Sequence, residues 1–174
     1  MAQTGDLWLW GTCLVCETCH EDDCNDMTSV TCDSSVKRCF NSLEVKKTEE
    51  GETRHIHKSG AKKEQLCDLT FSMSAGDEVY YVSKCCNGDH CNGEEMEMPP
   101  INETENNNEC PVCYANAKSC TPKGNMTCQG AHTECTKFSV MGDQNGKTEK
   151  WAFQGCTTKN FLQRWSFNLL FFHI

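Results

Sequence analysis

Cys85-Cys86-Asn87-Gly88-Asp89-His90-Cys91-Asn92 is the stretch that decides the fold of this chain. Two adjacent cysteines do not readily bond each other, so each reaches a different partner and the pair becomes a junction that ties separate loops together. The chain holds 16 cysteines in 174 residues, close to the level at which a disulfide scaffold is the leading reading. Cytosolic thiols are kept reduced, so this usage predicts an extracellular or secretory-pathway protein. Large aliphatic residues are sparse, and each half of the chain has material for only a small core. Bridges, typically worth about 2 to 5 kcal/mol each, are therefore expected to hold the fold.

The formal charge is −9 and the isoelectric point 5.1. This balance disfavours nucleic acid and anionic lipid surfaces, which require clustered Lys and Arg. It leaves a basic protein partner or a plainly solvated acidic surface. Residues 1–13 form an N-terminal segment whose apolar run Leu7 to Trp10 reads as the remnant of a signal peptide, although no Lys or Arg precedes it. Residues 161–174 are an apolar tail, shorter than the roughly 20 residues that span a bilayer and without the polar spacer of a lipid-anchor signal. No integral membrane span is expected.

The cysteine register repeats. Cys16, Cys19, Cys24, Cys32 and Cys39 are separated by 3, 5, 8 and 7 positions; Cys110, Cys113, Cys120, Cys128, Cys135 and Cys156 are separated by 3, 7, 8, 7 and 21. A duplicated module accounts for both chain length and cysteine number. The last step, applied to Cys39, predicts a cysteine at position 60, where the sequence has Gly60. The first copy has instead the additional Cys13. Between the copies, residues 94–108 are acidic, contain Pro99-Pro100 and show almost no apolar periodicity, so they read as an exposed linker. Asn102 in that linker and Asn125 beyond it each open an N-glycosylation triplet.

The secondary structure is expected to be β. Phe40 to Lys47 and Thr53 to His57 read as a hairpin with its turn at Gly51. Thr136 to Val140 and Lys150 to Phe153 flank Asn145-Gly146, a strong hairpin signal. Leu69, Phe71 and Met73 alternate, and Val79 to Val82 is a β-favouring run that enters the cysteine junction. Three hairpins are expected in the first copy and two in the second.

With these elements in place, Leu14-Val15-Cys16-Glu17-Thr18-Cys19 resembles the LxCxxC opening of the lymphocyte-antigen and urokinase-receptor (LU) family of three-finger domains, and Cys85 to Asn92 resembles its CCxxxxCN close. The resemblance implies an all-β, disulfide-rich fold of tandem three-finger domains: residues 14–93 as domain 1, and 109–160 as a truncated domain 2. It implies bridges Cys16–Cys39, Cys19–Cys24, Cys67–Cys85 and Cys86–Cys91, then Cys110–Cys135, Cys113–Cys120 and Cys128–Cys156. Cys13 and Cys32 remain without family partners; pairing with each other and linkage of one to a second chain are both open. The tail 161–174 stands where a third finger is expected. A truncated or read-through product is the favoured reading of it, with an exposed edge and oligomerisation as consequences; an interface or anchor is the other.

Tandem modules with the opening Cys110-Pro111-Val112-Cys113-Tyr114 are most similar to gamma-type phospholipase A2 inhibitors. That similarity implies a secreted, non-enzymatic protein that occludes a protein partner, with a secreted phospholipase as the first candidate. A cell-surface receptor or adhesion module and a secreted signalling ligand are the alternatives. No cofactor is implied.

Residue by residue, no other chemistry outweighs this reading. Cys13, Cys16, Cys19 and Cys24 superficially suggest an iron–sulfur run, but the last gap is wrong and no Pro follows. Zinc at Cys16 and Cys19 lacks a second CxxC at finger-like distance. His55 and His57 share a strand face that could bind metal, with exposed histidines as the safer reading. The acidic run Glu49 to Glu52 is either a docking tip for a basic partner or a solvated turn. Tyr80 and Tyr81 point to opposite faces, one expected in the core and the other as a contact anchor. No nucleophile elbow or phosphate loop is present.

Overall fold

A computed structural model describes residues 13–21, 24–62, 64, 67–144, 147–159 and 161. Ten strands make up its elements: β1 (Val15–Glu21), β2 (Thr28–Thr31), β3 (Cys39–Thr48), β4 (Gly51–Gly60), β5 (Thr70–Ala75), β6 (Asp77–Cys86), β7 (Glu105–Ala115), β8 (Gly124–Gln129), β9 (Glu134–Gln144) and β10 (Lys147–Thr157). The fold is all-β and disulfide-rich. Among the described residues its first module has three antiparallel hairpins, β1–β2, β3–β4 and β5–β6, and its second has two, β7–β8 and β9–β10.

The expected hairpins form where alternation and turn chemistry place them. In β3–β4, Thr48 pairs with Gly51, so the turn is Glu49-Glu50, just before the expected turn at Gly51, which instead opens the return strand with φ +141°. The backbone of Glu50 donates to Thr48 Oγ1, fixing the tip. Gln144 pairs with Lys147 across the last hairpin, while the expected turn residues 145–146 lie outside the described residues.

One continuous sheet runs β2-β1-β4-β3-β6-β5-β10-β7-β8, with β9 also on β10. The two modules join where Ser74 and Met73 of β5 pair with Cys156 and Thr157 of β10. The pairing continues as Thr158 N donates to Ser72 O and Ser72 N donates to Thr158 Oγ1. Gly155 permits this approach: a Cβ there would overlap Ser74 O. Among the described residues β9 pairs only with β10, so the edge that β6 covers on β3 has no equivalent strand in the second module.

Alternation along β3 and β6 gives each face its own core. Leu43, Val45, Tyr80 and Val82 form one, and Met96 is buried against them with Met98 and Ile101 alongside. The segment 94–108 is exposed along most of its length but is anchored to the first module. Its sparse apolar residues cover a sheet face, Lys58 Nζ donates to the carbonyls of Gly93 and Glu94, and Lys47 pairs with Glu103 at 2.9 Å. Residues Glu105 onward already belong to β7. The opposite face carries Phe71, Tyr81 and Phe161, with Leu69, Met73 and Phe138 packed on them. Phe161 is fully buried, edge-on to Phe71 at 5.4 Å and 5.6 Å from Phe138. The tail thus starts inside the core rather than exposed; residues 162–174, like residues 1–12, lie outside the described residues.

Candidate functional site

The cysteine junction is held by more than sulfur. Bridges join Cys16–Cys39, Cys19–Cys24, Cys67–Cys85, Cys86–Cys91, Cys110–Cys135, Cys113–Cys120 and Cys128–Cys156. Asn92, 3% exposed, donates through Nδ2 to the carbonyls of Glu17 and Phe40 and accepts from Glu17 N through Oδ1. It thereby stitches β1 to β3. Asp89 accepts from Val15 N, and His90 N donates to Val15 O. The His90 ring lies 2.6 Å from Glu17, which holds the Glu17 carboxyl below the usual range, with the Ser29 hydroxyl adding to the effect. Left-handed backbone at His90 and Gly88 lets the chain fold back on β1.

Cys13 and Cys32 are both unbonded, so no bridge joins them. Cys32 Sγ instead faces position 60: a Cβ at Gly60 would stand 2.8 Å from it and 2.9 Å from Val36 Cγ1. Burial pushes the Cys32 thiol up, which lowers its reactivity. Cys16, Cys19 and Cys24, weighed above for metal, all have their sulfurs in bridges. So do Cys110, Cys128 and Cys156, the group of potential ligands that converges among the described residues.

His55 and His57 are half-buried rather than exposed. They pair laterally with Glu44 and Ser42, and the His57 ring lies 5.8 Å from Phe40. Tyr80 and Tyr81 do point to opposite faces, but both are buried, so neither is the expected surface anchor. The second module covers both sides of β5: Ser72 Oγ meets buried His132 Nε2 at 2.7 Å on one, and Phe161 and Phe138 cover Phe71 on the other. Burial holds the His132 ring below its ordinary value, hence neutral at pH 7. The Ser72–His132 pair is enclosed at the module junction.

The structure also brings together a site that the sequence did not announce. A groove of about 600 Å³ opens between the modules. On the first module it is lined by Glu44 and Lys46 of β3, the tip residues Glu49 and Glu50, and Asp77. On the second it is lined by Tyr114, Phe138, Val140, Trp151 and Phe153. The second wall follows from register. Trp151 pairs with Val140, and Phe153 pairs with both Phe138 and Tyr114, so these side chains share one sheet face. Tyr114 remains 46% exposed. Glu44 sits low in the groove, and burial pushes its carboxyl up to about 8, opposed by a smaller pull from Lys46. The acidic tip predicted at Glu49 to Glu52 forms its outer lip, where Glu49 and Glu50 are exposed while Glu52 pairs with Arg54 at 3.1 Å.

Fold and groove together define a tandem three-finger scaffold, with two hairpins in its second module among the described residues, that presents a mixed acidic and aromatic cleft. No family model matches the chain. It is similar to Protein RoBo-1 of Rattus norvegicus, with 29% identity over 146 residues, covering 82% of this chain and 60% of that protein. The chain thus spans 60% of the length of that relative. Among solved structures it matches mouse TEX101 with 20% identity and a TM-score of 0.36, over 84% of each chain. No helix among the described residues is long and apolar enough to cross a membrane.

Proposed function

We propose that this chain is an extracellular binding protein of the LU three-finger class that acts by occluding a protein partner rather than by catalysis. The groove between the modules carries this reading. It joins an acidic lip to an aromatic wall on a scaffold rigidified by bridges, an arrangement suited to holding a protein segment. Seven bridges across both modules support an oxidising compartment. The similarity to RoBo-1, with the LxCxxC and CCxxxxCN motifs, supports the class. Asn102 and Asn125 are both exposed and are the proposed glycan sites.

A secreted phospholipase A2 is the first partner to test, following the similarity to gamma-type inhibitors. Titration of the purified, oxidised protein into assays of secreted phospholipases should give stoichiometric loss of lipase activity. Full activity of every secreted lipase at saturating protein would remove that partner.

A further inference from the structure

Within the occlusion reading, we propose that the groove between the modules takes a lysine or arginine side chain carried on an extended, otherwise apolar segment of the partner. Charge points there first. Of the charged groups lining the groove, Lys46 pairs with Asp77 at 3.8 Å, and among the described residues no ion pair engages the exposed Glu49 or Glu50. An anionic or wholly apolar occupant would strip water from those carboxylates without replacing it. A cation replaces it. The opposite wall suits the same group, because Tyr114 and Trp151 line it and aromatic rings attract an ammonium or guanidinium. Phe138, Val140 and Phe153 beside them take the apolar neighbours of the cation. Extended backbone alternates its side chains, so one cation between two apolar residues matches a groove with a charged side and an aromatic side.

Glu44 supplies an independent signature. Its surroundings are His55 across β4, Tyr81 across β6, Lys46 along its own strand, and Asp77, Glu49 and Glu50 around the groove. Its carboxyl is held protonated near neutral pH by burial. A cation seated beside it favours the charged form, so binding releases a proton and tightens as pH rises from 6 to 9.

The test uses the full oxidised chain and fluorescein-labelled hexapeptides of alternating valine and arginine, with valine–glutamate and valine–serine peptides as controls, read by anisotropy. The arginine peptide is expected to bind at least about tenfold tighter than either control. The double variant Glu49→Gln/Glu50→Gln, at an exposed turn, should weaken it several-fold, and so should Trp151→Ala. Glu44→Gln should abolish the pH dependence. Equal binding of the glutamate peptide, no binding of the arginine peptide, or an unchanged pH profile in Glu44→Gln would each overturn the proposal. Lipase inhibition and peptide capture fail separately: peptide binding without inhibition leaves the groove intact and changes the partner, while inhibition without peptide binding moves occlusion to another surface.

Discussion

Replacing Gly60 by cysteine should close a bridge to Cys32 and stabilise the first module. The Cβ position at residue 60 stands 2.8 Å from Cys32 Sγ. In a relaxed bridge, with S–S about 2.05 Å and Cβ···Cβ about 3.8 Å, the far sulfur lies about 3 Å from the opposite Cβ, so little movement is required. The new loop runs from residue 32 to residue 60, 28 positions, and Cys16–Cys39 offers no shorter path between them. Loop-closure entropy for that length is about 12 cal/mol/K, or about 3.6 kcal/mol at 25 °C. Val36 Cγ1, 2.9 Å from the new Cβ, must give way, and such crowding costs about 1 kcal/mol. The net gain is about 2 to 3 kcal/mol, or about 5 to 10 °C in Tm for a chain of this size. Non-reducing peptide mapping should recover Cys32 joined to the new cysteine, with Cys13 alone alkylatable. Gly60→Ser should lose stability instead, since it adds the crowding without the bond. A mapped bridge with unchanged Tm, or a thiol at position 60 that stays alkylatable, would refute the reasoning.

Further expectations follow from the same contacts. Asn92→Ala leaves buried backbone groups of Glu17 and Phe40 without their partner and should cost about 3 to 5 kcal/mol, read by denaturant unfolding of the oxidised protein. Gly155→Ala drives a methyl into Ser74 O and should cost about 2 to 4 kcal/mol, with the two modules melting separately in calorimetry. Glu44→Gln should be neutral at pH 4 and stabilising above pH 8, read by denaturant midpoints across that range. The folded-state carboxyl is raised from 4.5 to about 8, so the native protein has its full stability below pH 4.5 and loses it as pH rises through 8. The difference between variant and native protein is on the order of 4 kcal/mol at its largest. The comparison cancels the contribution of His132, which acts in the opposite sense.

The framework was legible because cysteine spacing is a one-dimensional signal. The steps between cysteines locate the strands that carry them, and alternation at Leu69, Phe71 and Met73 sets their faces. The module junction was not legible. It depends on two pairs between β5 and β10 and on the absence of a side chain at Gly155, none of which has a sequence period. The anchoring of segment 94–108 was not legible for a related reason: three apolar residues, Met96, Met98 and Ile101, suffice to cover a small sheet face yet are too few to register as a pattern. One of Tyr80 and Tyr81 reads as a surface anchor because the segment that buries Tyr80 lies outside its own module. The groove arises only when Trp151 and Phe138 of one module face Glu44 of the other, so neither repeat shows it alone. Asn92 belonged to the diagnostic motif, but its hydrogen bonds reach back to residues 17 and 40.

The groove exists because the two modules share one sheet through β5 and β10. Cross-strand NOEs in the oxidised protein test this most directly. Contacts between Ser74 and Cys156 and between Met73 and Thr157, with slow amide exchange at Ser72 and Thr158, are predicted. Absent NOEs and fast exchange at both amides would contradict it.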